Sequence, residues 1–234
     1  MIQTAEIKTA SETEGFNMPR EIARFNMIEQ QIRTWEVLDP VVLALLNEIP
    51  REHFVPAEYQ GLAFADIEIP IGAGQTMLSP KLEGRILQAL SVQKTHHVLH
   101  IGTGSGYVTA LLASLAKHVT SVEINADLSA KAAQNLAKHA IQNVTLLVAD
   151  GALGLPNQAP FDLIVYTGSC PIEPLGVRNQ LAIGGALFIV LGTGPAMQAI
   201  LIQRLSDAAF KQDVLFETYV PELINAPQAS TFEF

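Results

Sequence analysis

The ten residues from Val98 to Tyr107, Val-Leu-His-Ile-Gly-Thr-Gly-Ser-Gly-Tyr, carry the strongest chemical signal in the chain. An apolar, β-branched run gives way to three glycines at alternate positions. Such a run reads as a β-strand feeding a turn that cradles a nucleotide. Without side chains, Gly102, Gly104 and Gly106 let the backbone turn sharply and come close to a ligand, which would sit against the helix that opens over Tyr107 to Leu115. Thr103 and Ser105, set between the glycines, join them as candidate cofactor-binding residues. A dinucleotide loop would be Gly-x-Gly-x-x-Gly, whereas here the third glycine comes one residue early and the bulky Tyr107 stands where that pattern needs glycine. The spacing favours S-adenosylmethionine over NAD.

Three glycines alone also occur in plain turns, so the downstream strand ends decide the reading. Val119-Thr-Ser-Val-Glu123 is a second strand ending in a carboxylate, 21 residues after Gly102, where a βαβ unit places the acceptor for two ribose hydroxyls. A third strand, Val144 to Val148, leads to Asp150-Gly151, an acid to receive an adenine amino group and a glycine to leave room for the ring. Taken singly, Asp150 reads equally as a turn residue. Three suitable groups at three strand ends in register argue against coincidence.

These residues need a scaffold, and the chain supplies one. With 234 residues, 49% of them hydrophobic, it can bury one substantial core. The expected division is a flexible tail over 1–17 and a single domain over 18–234, with N-terminal helices and an active-site loop in 18–95 and the cofactor-binding sheet in 96–234. Ile22, Phe25, Ile28 and Ile32 fall at helical spacing within Glu21 to Arg33, and Asp39-Pro40 makes an N-cap and first-turn pair for a helix over Val41 to Ile49. Ile69 to Thr76 is too glycine-rich for a helix and is a candidate ligand lid; Pro80 then opens a helix over Lys81 to Leu90. From Val98 onward strands should alternate with helices, which calls for a parallel sheet. The fourth strand is Phe161 to Thr167 and the fifth Gly185 to Leu191, after a short helix around Leu175 to Leu181; with the first strand they form the sheet centre. Met197 to Ser206 and Gln212 to Val220 are joined too closely for a crossover helix and should pair antiparallel at an edge.

Composition narrows the partners. Fourteen Lys and Arg against 23 Asp and Glu give a formal charge of −9 with no basic cluster, which argues against nucleic acid and anionic membranes. Residues 1–17 hold no apolar stretch of the secretory type and no later run reaches membrane-spanning length, so a cytoplasmic protein is expected. The single cysteine, Cys170, excludes an intrachain disulfide and suits a reducing compartment; placed after a strand with no matched His or Asp, it reads as small-residue packing. No metal site is expected.

With these residues placed, the chain resembles the protein-L-isoaspartate O-methyltransferase family, S-adenosylmethionine enzymes that repair isomerised aspartyl residues. The resemblance rests on Ile49-Pro-Arg-Glu-His-Phe-Val55, Asp66, Pro70-Ile-Gly-Ala-Gly-Gln-Thr76, Val98 to Tyr107, Glu123, Asp150-Gly151 and Tyr219-Val-Pro221. It implies a doubly wound, mostly parallel seven-stranded α/β sheet with an antiparallel edge and N-terminal helices. It also implies S-adenosylmethionine as cofactor, S-adenosylhomocysteine as product, and peptides or proteins carrying isoaspartyl residues as partners. Gln75 and Thr76 then join the cofactor-binding candidates.

Two departures matter. The family's loop continues from Gly-Gln-Thr as Ile-Ser-x-Pro, its serine regarded as the active-site residue, whereas this chain reads Met77-Leu78-Ser79-Pro80. Leu78 stands in the serine's place, leaving Thr76 and Ser79 as candidate catalytic residues; Ser79 is one position off and could instead cap the helix at Pro80. The other departure is His100, where the family has an acid near the methionine end of the cofactor; a strand-end histidine more often packs by hydrogen bonds than binds a ligand, and His100 stays off the candidate list. Two further readings stay open: a methyltransferase with a smaller or more apolar acceptor, and a cofactor-binding module without turnover.

Overall fold

The structure, a computed structural model, describes residues 17–229. The expected tail over 1–17 lies outside them apart from Asn17, where α1 (Asn17–Asn26) begins. The helical run continues as a π-helix over Met27–Ile32 and a 3-10 turn over Arg33–Trp35. This breaks the expected stripe: Ile22 and Phe25 are exposed, while Met27, Ile28 and Ile32 are buried. A π-turn adds a residue per turn, so a 3.6-residue period drawn through the segment loses its face at residue 27. Helix α2 (Pro40–Glu48) starts as its sequence dictates, with the Asp39 carboxylate accepting hydrogen bonds from the Val41 and Val42 amides.

The expected loop over Ile69 to Thr76 is a small antiparallel hairpin, β1 (Ile69–Gly72) with β2 (Gln75–Met77). Ile69, Ile71 and Met77 are buried and seat it on the core. Helix α3 (Pro80–Leu90) follows. Then come β3 (His97–Ile101), α4 (Tyr107–Leu115), β4 (His118–Glu123), α5 (Ala126–Lys138) and β5 (Val144–Val148). The last four strands are β6 (Phe161–Cys170), β7 (Leu181–Leu191), β8 (Met197–Arg204) and β9 (Phe210–Thr218). Seven strands form one sheet in the order β5-β4-β3-β6-β7-β8-β9, parallel through β7 and antiparallel from β7 to β9.

The alternation of strand and helix stops after β5. The connections into β6 and β7 contain only the 3-10 turns Pro156–Gln158 and Val177–Gln180. Pro160 stops the first turn at once, and the short helix expected around Leu175 to Leu181 is one turn because β7 already begins at Leu181. Val98, Leu163, Val165 and Phe188 pack with residues of all the helices after α1, whereas Leu99, Ile101, Ile164 and Leu187 pack with turn and C-terminal residues such as Leu181, Val177 and Ala226. Replacing Asp39 with alanine should cost about 1 kcal/mol of stability, since two α2 amides lose their cap; denaturant unfolding of Asp39→Ala measures it.

Candidate active site

The cleft lies at the C-terminal ends of β3, β4 and β5, where the glycine loop meets the hairpin. The Gly102 and Thr103 amides both donate to the Val122 carbonyl, at 2.9 and 3.2 Å, which folds the chain back over the end of β4. Gly102 has φ +93°, and a Cβ there would meet the Thr167 hydroxyl at 2.8 Å; only glycine fits. Glu123 is buried, with one carboxylate oxygen accepting from the Gly104 amide at 2.8 Å and the other from Asn125 at 3.0 Å. Each oxygen keeps a lone pair for a ligand hydroxyl, so the same carboxylate can shape the loop and accept from a ribose.

Gly102, Thr103, Gly104, Ser105, Glu123, Asp150 and Gly151 all line this cleft, as do Gln75 and Thr76 from the hairpin. Gly106 does not. At φ +87° it packs against α5, where a Cβ would come within 3.1 Å of Ala132, and its freedom serves the close approach of loop and helix. Asp150 accepts from Ala152 at 2.9 Å, the turn role weighed for it, and from the Asn225 side chain at 2.8 Å. That second bond draws in a segment outside the expected site residues: Pro221, Glu222, Leu223 and Ile224 form part of the wall. The segment lies along the end of β6, with Ser169 donating to the Pro221 carbonyl and Leu223 donating back to Ser169.

Opposite the glycine loop, Leu78 lines the cleft and is buried. Its carbonyl accepts from the guanidinium of Arg51, which also donates to the Ala63 carbonyl at 2.8 Å and pairs with Glu83 at 3.0 Å, both charged side chains being almost wholly buried. Sequence reasoning missed this pair. The signal was present: Glu83 heads the spacing Glu83, Ile86, Leu87, Leu90, and a carboxylate in an apolar helical stripe has to find a cation. Burial pushes the Glu83 carboxyl up to about 7, a larger effect than the opposing pull of Arg51. The structure does not bring Ser79 to the cleft. It occupies the N-cap position of α3 without a side-chain cap bond and faces a separate groove beside Trp35, Lys81 and Tyr219. Thr76 does line the cleft, but its hydroxyl donates to Glu68 at 3.2 Å, a residue of that separate groove. Cys170 is the last residue of β6 rather than a residue beyond it, fully buried, with its thiol pushed up to about 12 by burial. It is inert packing at neutral pH. Among the described residues no group of three or more His, Cys, Asp or Glu side chains could hold a metal ion, and no helix is long and apolar enough to cross a membrane.

The family model for protein-L-isoaspartate(D-aspartate) O-methyltransferase matches residues 23–225. A Marinobacter nauticus protein named protein-L-isoaspartate O-methyltransferase 2 is 41% identical over 187 residues, covering 80% of this chain and 85% of that one. A Rhodopseudomonas palustris protein-L-isoaspartate O-methyltransferase is 39% identical over 201 residues, covering 86% and 92%. The chain belongs to this methyltransferase family. Among solved structures, one named protein-L-isoaspartate O-methyltransferase superposes with a TM-score of 0.72 at 24% identity, covering 86% of this chain and 65% of that one. A second, from Plasmodium falciparum and solved in complex with S-adenosyl-L-homocysteine, superposes with a TM-score of 0.71 at 18% identity, covering 87% and 97%. At those identities the two establish the methyltransferase fold.

Two expectations follow from the geometry. Removing the Glu123 carboxylate should weaken binding of S-adenosylhomocysteine by about 1.5–3 kcal/mol, roughly ten- to hundred-and-fiftyfold, as charged hydrogen bonds to ribose are lost; titration calorimetry of Glu123→Ala reads it. Glu83 gives a pH dependence. Its folded pKa of about 7 lies above the reference value of 4.5, so the folded state binds the proton more tightly. The stability contributed by that proton is complete below about pH 4.5 and is lost as pH rises through about 7. Unfolding free energies across that window should fall in the parent and stay flatter in Glu83→Gln.

Proposed function

We propose that the protein is a carboxyl methyltransferase acting on isoaspartyl residues of peptides and proteins. The observation that carries this is the joining of two walls in one cleft of a chain belonging to the isoaspartate methyltransferase family. Glu123 and Asp150 offer acceptors for a nucleoside on one side, and Thr76 and Leu78 line the other. S-adenosylmethionine bound there supplies an electrophilic methyl group on a sulfonium and leaves as S-adenosylhomocysteine. The acceptor is the substrate's own carboxylate, ionised at neutral pH with a reference pKa near ~4, so the protein need provide no base. Its task is alignment. Holding the reacting oxygen in line supplies roughly 7–11 kcal/mol of the barrier, more than a general base contributes.

Leu78 bears on the acceptor rather than on the transfer. A leucine side chain in the wall removes a hydroxyl that would orient a polar peptide, and this supports a second reading in which the group beside the acceptor carboxylate is apolar. Cys170, the only cysteine and buried as a free thiol, suits a reducing cytoplasm.

Radiolabelled methyl transfer to an isoaspartyl peptide, with its normal aspartyl twin as control, decides between the readings. Weak but measurable transfer to the isoaspartyl peptide alone is expected. Leu78→Ser should raise it by about five- to hundred-and-fiftyfold, the effect of one polar contact worth roughly 1–3 kcal/mol. No transfer by either protein, with cofactor still bound, overturns the repair reading in favour of the different acceptor.

A further inference from the structure

His100 lies beneath the glycine loop, fully buried, and its ring is surrounded by hydroxyls. Nδ1 is 2.9 Å from Thr109 Oγ1 on α4 and 3.2 Å from Ser121 Oγ on β4; Nε2 is 3.1 Å from Thr167 Oγ1 on β6. Ser121 is in turn 2.7 Å from the Thr103 hydroxyl and 3.0 Å from that of Thr109. The hydroxyl of Thr167 lies 2.8 Å from the Gly102 carbonyl and 3.0 Å from the Ile101 carbonyl.

Proton counting orders this network. Thr167 has one hydroxyl proton and two carbonyl oxygens in contact, neither of which can donate, so the proton goes to them. Its oxygen is then the acceptor for Nε2–H of His100, which leaves Nδ1 to accept from Thr109. The remaining bonds run one way, Thr103 to Ser121 to Thr109, so the chain leaves the loop at the Thr103 side chain and returns to it at the Gly102 carbonyl. The peptide joining Gly102 to Thr103 is thereby pinned at both ends, its oxygen by Thr167 and its N–H by the Val122 carbonyl.

We propose that His100 is a positioning residue for the cofactor loop: as a neutral, Nε2-protonated ring it holds Thr167 and, through it, the orientation of the Gly102 peptide on which the loop's approach to the cofactor depends. It is not a catalytic residue, since it does not line the cleft. Burial pushes its pKa down to about 3, which agrees with a ring that stays neutral at physiological pH. A carboxylate in its place could accept from the hydroxyls but, ionised, could not donate to Thr167. The link to binding rests on the reading of the cleft as an S-adenosylmethionine site, but the effect on the loop does not.

The test compares His100→Phe, which keeps a ring of similar size without hydrogen bonds, with His100→Gln, whose amide can still donate. Thr167→Val and Thr167→Ser form the matching pair. Hydrogen exchange over 102–106 in the protein without cofactor, calorimetric affinity for S-adenosylhomocysteine, and global stability are measured on each. His100→Phe and Thr167→Val should speed loop exchange and weaken binding about tenfold, within the range that a stranded buried hydrogen-bonding group costs. The glutamine and serine variants should recover most of it, and the double variant should be no worse than the weaker single one. In the parent, the 15N spectrum of His100 should show the neutral Nε2–H form, unchanged from pH 5 to 8. Parental exchange and affinity in both Thr167→Val and His100→Phe, fully additive losses, or an Nδ1–H or charged ring would each overturn the proposal. If His100→Phe fails to fold, the Thr167 pair and the parent spectrum decide. A parent that binds no S-adenosylhomocysteine, yet whose loop exchange responds to these substitutions, refutes the cofactor reading and leaves the positioning role standing.

Discussion

The acceptor side of the cleft depends on one buried guanidinium. Arg51 reaches from a 3-10 turn to Glu83 on α3, to the Ala63 carbonyl and to the carbonyl of Leu78, so a single side chain ties three separate segments to the core. Its charge leaves it no alternative partner in an apolar interior, and stranding either member of such a pair costs about 3–5 kcal/mol. The interaction is therefore weak as a source of net stability and strong as a constraint on geometry. It specifies where the segment after the hairpin runs, and hence which side chain at positions 77–79 faces the cleft.

The nucleotide side is built on a different device. There side chains hold the backbone of the glycine loop in place. Glu123 accepts from the Gly104 amide and Thr167 donates to the Gly102 carbonyl; the first ends β4, the second lies within β6 just beyond the end of β3, and the sheet enforces the register of all three strands. Parallel strands β3 and β4 end together while β6 runs on to Cys170 beside them, so Glu123 and Thr167, far apart in sequence, converge on one five-residue loop. The cofactor half can thus be nearly complete before any ligand arrives. Leu78 in the facing wall and the 221–224 segment along the rim complete the cleft.

Much of this was legible in the chain. Helix α4 and strand β5 have the bounds that periodicity implied, and the acidic strand ends at Glu123 and Asp150 do line the cleft with the glycine loop, because period-two and period-3.6 patterns and Gly-rich strand ends report local backbone states directly. Where local rules misled, a local competitor was at work. A π-turn shifted the face of the first helical run, and the crossovers into β6 and β7 are single turns, the second running straight into β7 at Leu181.

The sequence by itself determined the class of sheet, the glycine loop and the presence of one carboxylate at each of two strand ends. Each follows from residue type and spacing within a few turns of chain. Only the tertiary structure decided that Leu78 faces the cleft while Ser79 faces away, that Gly106 serves packing rather than binding, and that Arg51 meets Glu83. It alone brought residues 221–224 to the rim and enclosed His100 in a ring of hydroxyls from three other elements. All but the nearest of these are pairings across more than 20 residues of chain, up to 75 for Asp150 and Asn225, set by which polar groups can satisfy one another once the strands are aligned, and no local pattern encodes a partner at that distance.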